Sequence, residues 1–314
     1  MAVLSPWRPK ALLPPLPTGG LVLEMINHPS STDKGPAPNH NLLSESIVQH
    51  NCLGNWDVFL SLFKSFKEVG TYPSFVILQE PPVSKAHLPL FNGFKFFFTP
   101  VRKPRVAAYV HMSFLSSYSV LLKFRGVDDV LALNVSSHEP LLGSNFHSFR
   151  LINAYSTNTR DHRVHSVSPE TLFPSLGVPL LVVGDLNIDN SLSDPLRSFS
   201  PREIVSSTPY FEKAAEASFA LLNPPGKYSR FPLVGRARPL VIDLSFTNPL
   251  LPPMVKSWEA SLPSTGSDHV PITINLAPPT LIPSPKRPRW FDTDWETLSL
   301  IIKSFQIPPA PPCP

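Results

Sequence analysis

The chain has 314 residues, of which 42% are hydrophobic, enough to bury a large β-rich core as one unit, so length alone does not demand two domains. A formal charge of +4 and a pI near 9.1 permit a polyanionic partner, but with 16% charged residues they do not single one out. Two cysteines, Cys52 in an apolar run and Cys313 near the end, exclude a disulfide framework and fit a reducing, intracellular setting.

The 40 prolines concentrate before Asn41 and after Ala277, where pairs such as Pro14-Pro15 and Pro278-Pro279 disfavour helix and central strand. The expected organisation is a proline-rich disordered tail over 1–40, one folded domain over 41–278, and a proline-rich connector and tail over 279–314. Near the N-terminus, prolines interrupt the apolar run after Lys10 too soon for a signal-peptide core. The most apolar window, Val106 to Phe124, holds His111, Lys123 and four serines; it reads as two strands, and no membrane association is expected.

In chain order, Ser46–Cys52 has strand character, and Asn55 caps a helical spacing at Trp56, Phe59, Leu60, Leu62, Phe63 and Phe66. Ser74–Gln79 is a short buried strand that stops at Glu80-Pro81-Pro82. Strands follow at Phe94–Thr99, Val106–Met112, Tyr118–Phe124, Val130–Ser136, Phe149–Tyr155 and Pro179–Val183. Two helix-compatible stretches overlap, Pro201–Lys213 and Phe211–Leu222, the second rich in alanine. Val241–Phe246 and Val270–Asn275 close the series. Several of these strands follow one another without room for a crossover helix. The pattern therefore predicts an α/β fold with four layers, α/β/β/α, in which two mixed β-sheets are flanked by helices.

Asn51, Glu80, Asp185 with Asn187, and Asp268 with His269 are read as polar groups at four strand tips. Singly, each has a plain local explanation. Asn51 could cap the next helix, Gly184-Asp185-Leu186-Asn187 is good turn chemistry, Tyr155 could be a rim residue, and Asp243 a buried turn acceptor. Convergent acidic tips, however, suit a hard divalent cation. His138, His147, His162 and His165 match no metal-ligand spacing and read as surface groups. No Gly-x-Ser-x-Gly elbow or Walker loop is present, so serine hydrolysis and P-loop nucleotide hydrolysis have no support.

In order, Gln49-His50-Asn51, Gln79-Glu80, Asn153-Ala154-Tyr155, Gly184-Asp185-Leu186-Asn187, Ile242-Asp243-Leu244 and Ser267-Asp268-His269 resemble the signature blocks of the endonuclease/exonuclease/phosphatase superfamily, whose fold is DNase I-like. The resemblance spans Ser46 to Leu276. The wording of the blocks at Glu80, Asp243 and Asp268 is most similar to the endonuclease domains of fungal LINE-type (non-LTR) retrotransposons. It implies an Mg²⁺-dependent phosphodiesterase, Mn²⁺ substituting, that nicks double-stranded DNA and leaves a 3′-hydroxyl for reverse transcription. Glu80, Asn51 and Asp268 would be the metal residues. Asp185 would orient or deprotonate water, Asn187 and His269 would donate to phosphate oxygens, Asp243 would fix the His269 tautomer, and Tyr155 would contact the phosphate or assist the leaving oxygen.

The chain departs from the family in places. Cys52-Leu53 lacks an acidic residue that some relatives carry, Tyr155 to Gly184 is short, and Asp189 adds an acid expected to weaken phosphate binding. Arg289 to Trp295 resembles the connector that precedes a reverse transcriptase. The reading is therefore an endonuclease without its polymerase, which would be supplied in trans, working in the nucleus with Lys286-Arg287-Pro288-Arg289 as an import patch. A phosphatase or lipid phosphodiesterase on the same fold, or a catalytically silent DNA-binding remnant, is the alternative.

Overall fold

The computed structural model describes residues 45–83, 88–99, 101, 103–123, 128–138, 148–157, 165–232, 238–261 and 265–277. The expected tails over 1–40 and 279–314, the import patch and the Arg289–Trp295 connector lie outside them.

The first strand, β1 (Glu45–Asn51), runs into the helix α1 (Trp56–Val69). The Asn55 side chain caps α1 by accepting from the Asp57 N–H, and Gly70, with φ of 70°, ends it in the left-handed conformation that favours glycine. Then come β2 (Phe75–Gln79), β3 (Phe94–Phe98), β4 (Val106–His111) and a single helical turn, α2 (Met112–Leu115). The strands β5 (Tyr118–Leu122), β6 (Val130–Ser137) and β7 (Ser148–Tyr155) lead to the short α3 (Pro169–Leu172) and β8 (Leu180–Asp185). After α4 (Pro201–Glu216) the chain adds β9 (Ala220–Leu221), β10 (Asp243–Thr247), β11 (Val255–Ala260) and β12 (Ile272–Leu276).

These strands form two six-stranded sheets, ordered β11-β12-β1-β2-β4-β3 and β5-β6-β7-β8-β10-β9. Each contains one parallel pair, β1 with β2 and β7 with β8, between antiparallel neighbours. Both sheets are therefore mixed, and the four-layer expectation holds. Ile47, Ile77, Leu133, Leu151, Val183 and Ile274 belong to the apolar layer between the sheets. On the outer face of the first sheet, Phe59, Leu62 and Phe63 of α1 pack on Val76, Leu78 and Tyr109. On the outer face of the second, Tyr210 and Ala214 of α4 and Leu172 of α3 pack on Ile152, Val182 and Leu244.

Three local expectations are corrected. The two overlapping helical stretches are one helix, its buried face at Ser207, Tyr210 and Ala214 running across their overlap. That helix stops at Glu216, short of Leu222. Ser218 turns left-handed with φ of 59°, Phe219 turns inward, and Ala220–Leu221 pair with β10. The third is β11, which periodicity did not announce: it is a short edge strand with a register shift between Val255 and Ser257 and charged Lys256 and Glu259 on it. Among the described residues, no helix is long and apolar enough to cross a membrane.

Gly184 shows how closely the second sheet is built around its parallel pair. A Cβ at this position would overlap the Ala154 carbonyl on the neighbouring strand. Gly184→Ala is therefore expected to destabilise the protein by about 3 kcal/mol, lowering Tm by roughly 6–12 °C. A thermal melt that stays within a degree of the parent would contradict this packing.

Candidate active site

The parallel pairs carry their chemistry at their C-terminal ends. Asn51 ends β1, Glu80 follows β2, Tyr155 ends β7 and Asp185 ends β8, while Asp243 begins β10 directly opposite Asp185. Asp268 and His269 arrive from the loop leading into β12. Ser267 ties that loop to the end of β1, its hydroxyl donating to the Asn51 carbonyl at 2.9 Å and accepting from the His269 N–H at 3.1 Å. All eight residues expected from the sequence blocks lie at this one end of the sandwich, and Asn51, Asp185, Asp243 and His269 are each at most 3% exposed.

Two of these residues sit on unusual backbone. Glu80 has φ of 43° and Asn187 φ of 51°, a conformation that costs on the order of 1–3 kcal/mol for a residue such as Glu. At Glu80 the residues just outside the neighbouring strands enforce it. The Glu80 N–H donates to the Arg105 carbonyl at 2.8 Å, and the Gly54 N–H donates to the Glu80 carbonyl at 2.8 Å. Asn187 accepts the left-handed region more readily, and its side-chain nitrogen donates to the Ser156 carbonyl at 2.9 Å.

At the centre, Asp243 Oδ2 lies 2.8 Å from Nδ1 of His269, which fixes the ring with Nδ1–H donating. The other ring nitrogen, Nε2, stands 3.9 Å from Asp185 Oδ2 and 3.7 Å from Asp268 Oδ1. Burial opposes charging His269, but the Asp243 carboxylate, helped by Asp185 and Asp268, outweighs it and pushes the imidazolium up to about 9. Burial raises Asp185 to about 7, with the like charge of Asp243 acting in the same sense and His269 and the Asn51 amide opposing. Burial also raises the Tyr155 phenol well above its ordinary range, reinforced by the charges of Glu80 and Asp185. Tyr155 therefore stays protonated.

The Asn51 amide stands otherwise than expected of a metal residue. Its nitrogen donates to Asp185 Oδ2 at 2.8 Å and faces Glu80 Oε2 at 3.5 Å, while its oxygen accepts from the Leu53 N–H at 2.8 Å. In this orientation it orients carboxylates. It is not the helix cap either, since Asn55 has that role. Asp189, the extra acid, is paired with Arg197, which also holds Glu203, so its charge is offset locally. His165 packs edge-on against Tyr210 and is half-buried, unlike the surface group expected, whereas His138 is exposed. His147 and His162 lie outside the described residues.

Asp185, Asp243 and His269 bring ligand atoms within 4.8 Å of one another, close enough to hold a metal ion. Two further facts bear on where a hard cation fits. Among the described residues, Asp185 Oδ1 and Asp268 Oδ1 are buried oxygens with no hydrogen-bond partner, a costly state that a cation relieves. The imidazole of His269, charged and donating to Asp243, is a poor ligand.

Some groups at the site had no signal in the sequence. Arg230 Nε donates to Asp268 Oδ2 at 2.8 Å, and Arg105 lies 3.5 Å from Glu80 and stacks over the Tyr155 ring. Both lie outside the blocks, and Arg105 ends the basic run Arg102-Lys103-Pro104-Arg105 with nothing local to separate it from a solvated loop. Beneath them, Asn153 joins the two sheets: its oxygen accepts from Gln79 Nε2 at 2.6 Å, and its nitrogen donates to the carbonyls of Leu78 and Ala107 at 2.9 and 3.0 Å. Asn153→Ala strands these buried groups and is expected to cost about 2–4 kcal/mol. Asn134→Ala, on the partly exposed part of the neighbouring strand, should stay within about 1 kcal/mol. Equal denaturation midpoints for the two variants would refute the assignment.

Two solved structures share this architecture. The endonuclease domain of TRAS1, a telomere-specific non-LTR retrotransposon, superposes over 74% of this chain and 97% of its own, with a TM-score of 0.55 and 13% identity. The AP endonuclease LMAP from Leishmania major superposes over 74% of this chain and 88% of its own, with a TM-score of 0.59 and 15% identity. The chain has the DNase I-like fold. At these identities the likeness establishes the architecture, and the chemistry of this DNase I-like chain rests on its own residues. No family model and no curated protein matches it.

Proposed function

We propose that the protein is a divalent-metal-dependent endonuclease that nicks duplex DNA and leaves a 3′-hydroxyl, the activity of a retrotransposon endonuclease. The observation that carries this reading is the convergence of Asp185, Asp243 and His269 in one buried cluster with Glu80, Asn51 and Asp268 beside it. That both structural neighbours are named endonucleases supports it. Glu80 and the buried Oδ1 of Asp268 would hold Mg²⁺, or Mn²⁺ in its stead, and Asn51 would keep Asp185 and Glu80 in register beside it. When bound, the cation supplies a Lewis acid that polarises the phosphate and acidifies water.

The protein's own groups supply the rest. Asp185, whose carboxyl titrates near neutrality, orients a water and takes its proton. The water oxygen bonds to phosphorus as the bond from phosphorus to the 3′-oxygen breaks. His269, cationic and locked by Asp243, donates through Nε2 to a non-bridging oxygen as charge builds there, and Asn187 donates to another. Tyr155, protonated, assists the departing 3′-oxygen. A 3′-hydroxyl is the end a reverse transcriptase supplied in trans would extend, and a chromosomal substrate implies a nuclear location.

The test is nicking of supercoiled plasmid. Cleavage is expected with Mg²⁺ or Mn²⁺ and not in excess chelator; the nick should be extended by an added DNA polymerase; and Glu80→Ala should lose most of the activity by loss of the metal. Cleavage undiminished by chelator, a nick that is not extendable, or faster hydrolysis of a phosphomonoester or inositol phosphate than of DNA would each refute the reading.

A further inference from the structure

Two arginines border the acidic centre, and the chemistry described above uses neither. In the first sheet the site runs from His269, which leads into β12, through Asn51 on β1 and Glu80 after β2, to Arg105, which leads into β4. Arg230 forms a backbone bridge with His269 and so stands at the opposite flank from Arg105. Both side chains are about one-third exposed, 33% for Arg105 and 34% for Arg230.

Each guanidinium is anchored without exhausting its donors. The Arg105 carbon lies 4.0 Å from the Tyr155 ring centroid, and its terminal nitrogens are 3.5 Å from Glu80 Oε1 and 3.8 Å from Asp129 Oδ2. Those separations exceed the roughly 2.7–2.9 Å of a charged hydrogen bond. The ring and the surrounding charge hold the fork, while its N–H groups remain available. Arg230 uses Nε on Asp268, and its two terminal nitrogens make no protein hydrogen bond among the described residues. Its backbone is fixed by bridges to Leu240 and His269.

Partly exposed ion pairs contribute little stability, about 0–1 kcal/mol, so folding alone gives no strong reason for arginine at both positions. A site of convergent carboxylates that must receive a polyanion gives one. The planar guanidinium matches a phosphate with two parallel donors. We propose that Arg105 and Arg230 are substrate contacts, each gripping a backbone phosphate on one side of the scissile one. The inference rests on the DNA-nicking reading. His269, to which Arg230 is bridged, stands three strand spacings from Arg105, roughly 14 Å, against a rise of about 3.4 Å per nucleotide, so the two arginines are assigned to different phosphates.

Each phosphate contact steepens the salt dependence of binding by about 0.9 in the slope of log K against log salt. Binding of a short duplex is measured in Mg²⁺ buffer with the full-length chain carrying Asp185→Asn to prevent cleavage, alongside its melting temperature. Arg105→Gln and Arg230→Gln should each flatten the slope by about 0.9 and the pair by about 1.8, with folding retained. Arg105→Lys and Arg230→Lys, which keep a charge, should restore the slope. Gln variants with the parent slope would overturn the proposal and, if they also melt lower, would make the arginines counter-charges for Glu80 and Asp268. A parent chain with no salt-dependent duplex binding would refute the DNA reading itself.

Discussion

Asp185→Asn is expected to lower the nicking rate about 10²–10⁴-fold while leaving duplex affinity within a few-fold of the parent. Asn keeps the shape and can still accept the Asn51 amide hydrogen bond, but it cannot take a proton from water. The same variant should melt higher than the parent in chelator. Asp185 is buried beside Asp243, and its ionised form is opposed by both desolvation and like charge, so a neutral isostere relieves the fold as it removes the chemistry. Loss of activity with gain of stability marks a residue kept for function. A variant that keeps full activity, or one that loses DNA binding together with cleavage, would remove Asp185 from the role of base.

His269→Ala should act in the opposite sense on stability. The imidazolium is the buried positive charge among Asp243, Asp185 and Asp268, and its removal leaves them without their common partner. A cost of about 3–5 kcal/mol is expected in metal-free buffer, together with a fall of about 10²–10³-fold in kcat from the lost donor. Added Mg²⁺ should recover part of the stability and little of the rate, because a cation can neutralise the carboxylates but cannot donate the hydrogen bond from Nε2. Recovery of the rate along with the stability would show that His269 acts only as a counter-charge.

The strand tips were legible because each polar group adjoins an apolar strand, Glu80 and Asp185 after one and Asp268 before one, and because order along the chain survives substitution of the surrounding residues. Glu80, Asp185 and Asp268 were visible on this ground. The direction of the Asn51 amide was not, since it depends on the Leu53 N–H two residues on and on Asp185 across the gap between sheets. Arg105 and Arg230 were hidden for a related reason: their partners lie on other strands, and no local spacing reports such a contact. Among the elements, β11 was missed because charges on a short edge strand resemble a loop, and the second helical stretch was carried to Leu222 because the propensity of its alanines is overridden where Ser218 turns left-handed and Ala220–Leu221 pair with β10.

The first sheet has its earliest and latest strands side by side: β1 pairs with β12, Glu45 facing Leu276. During synthesis, β1 must therefore wait, with one edge unpaired, until β12 has left the ribosome. Non-local pairing of this kind slows folding towards the millisecond-to-second range, and the waiting edge is open to pairing with other chains. Because the loop leading into β12 also brings Asp268 and His269, a nascent chain gains its catalytic end only at the moment its first sheet closes.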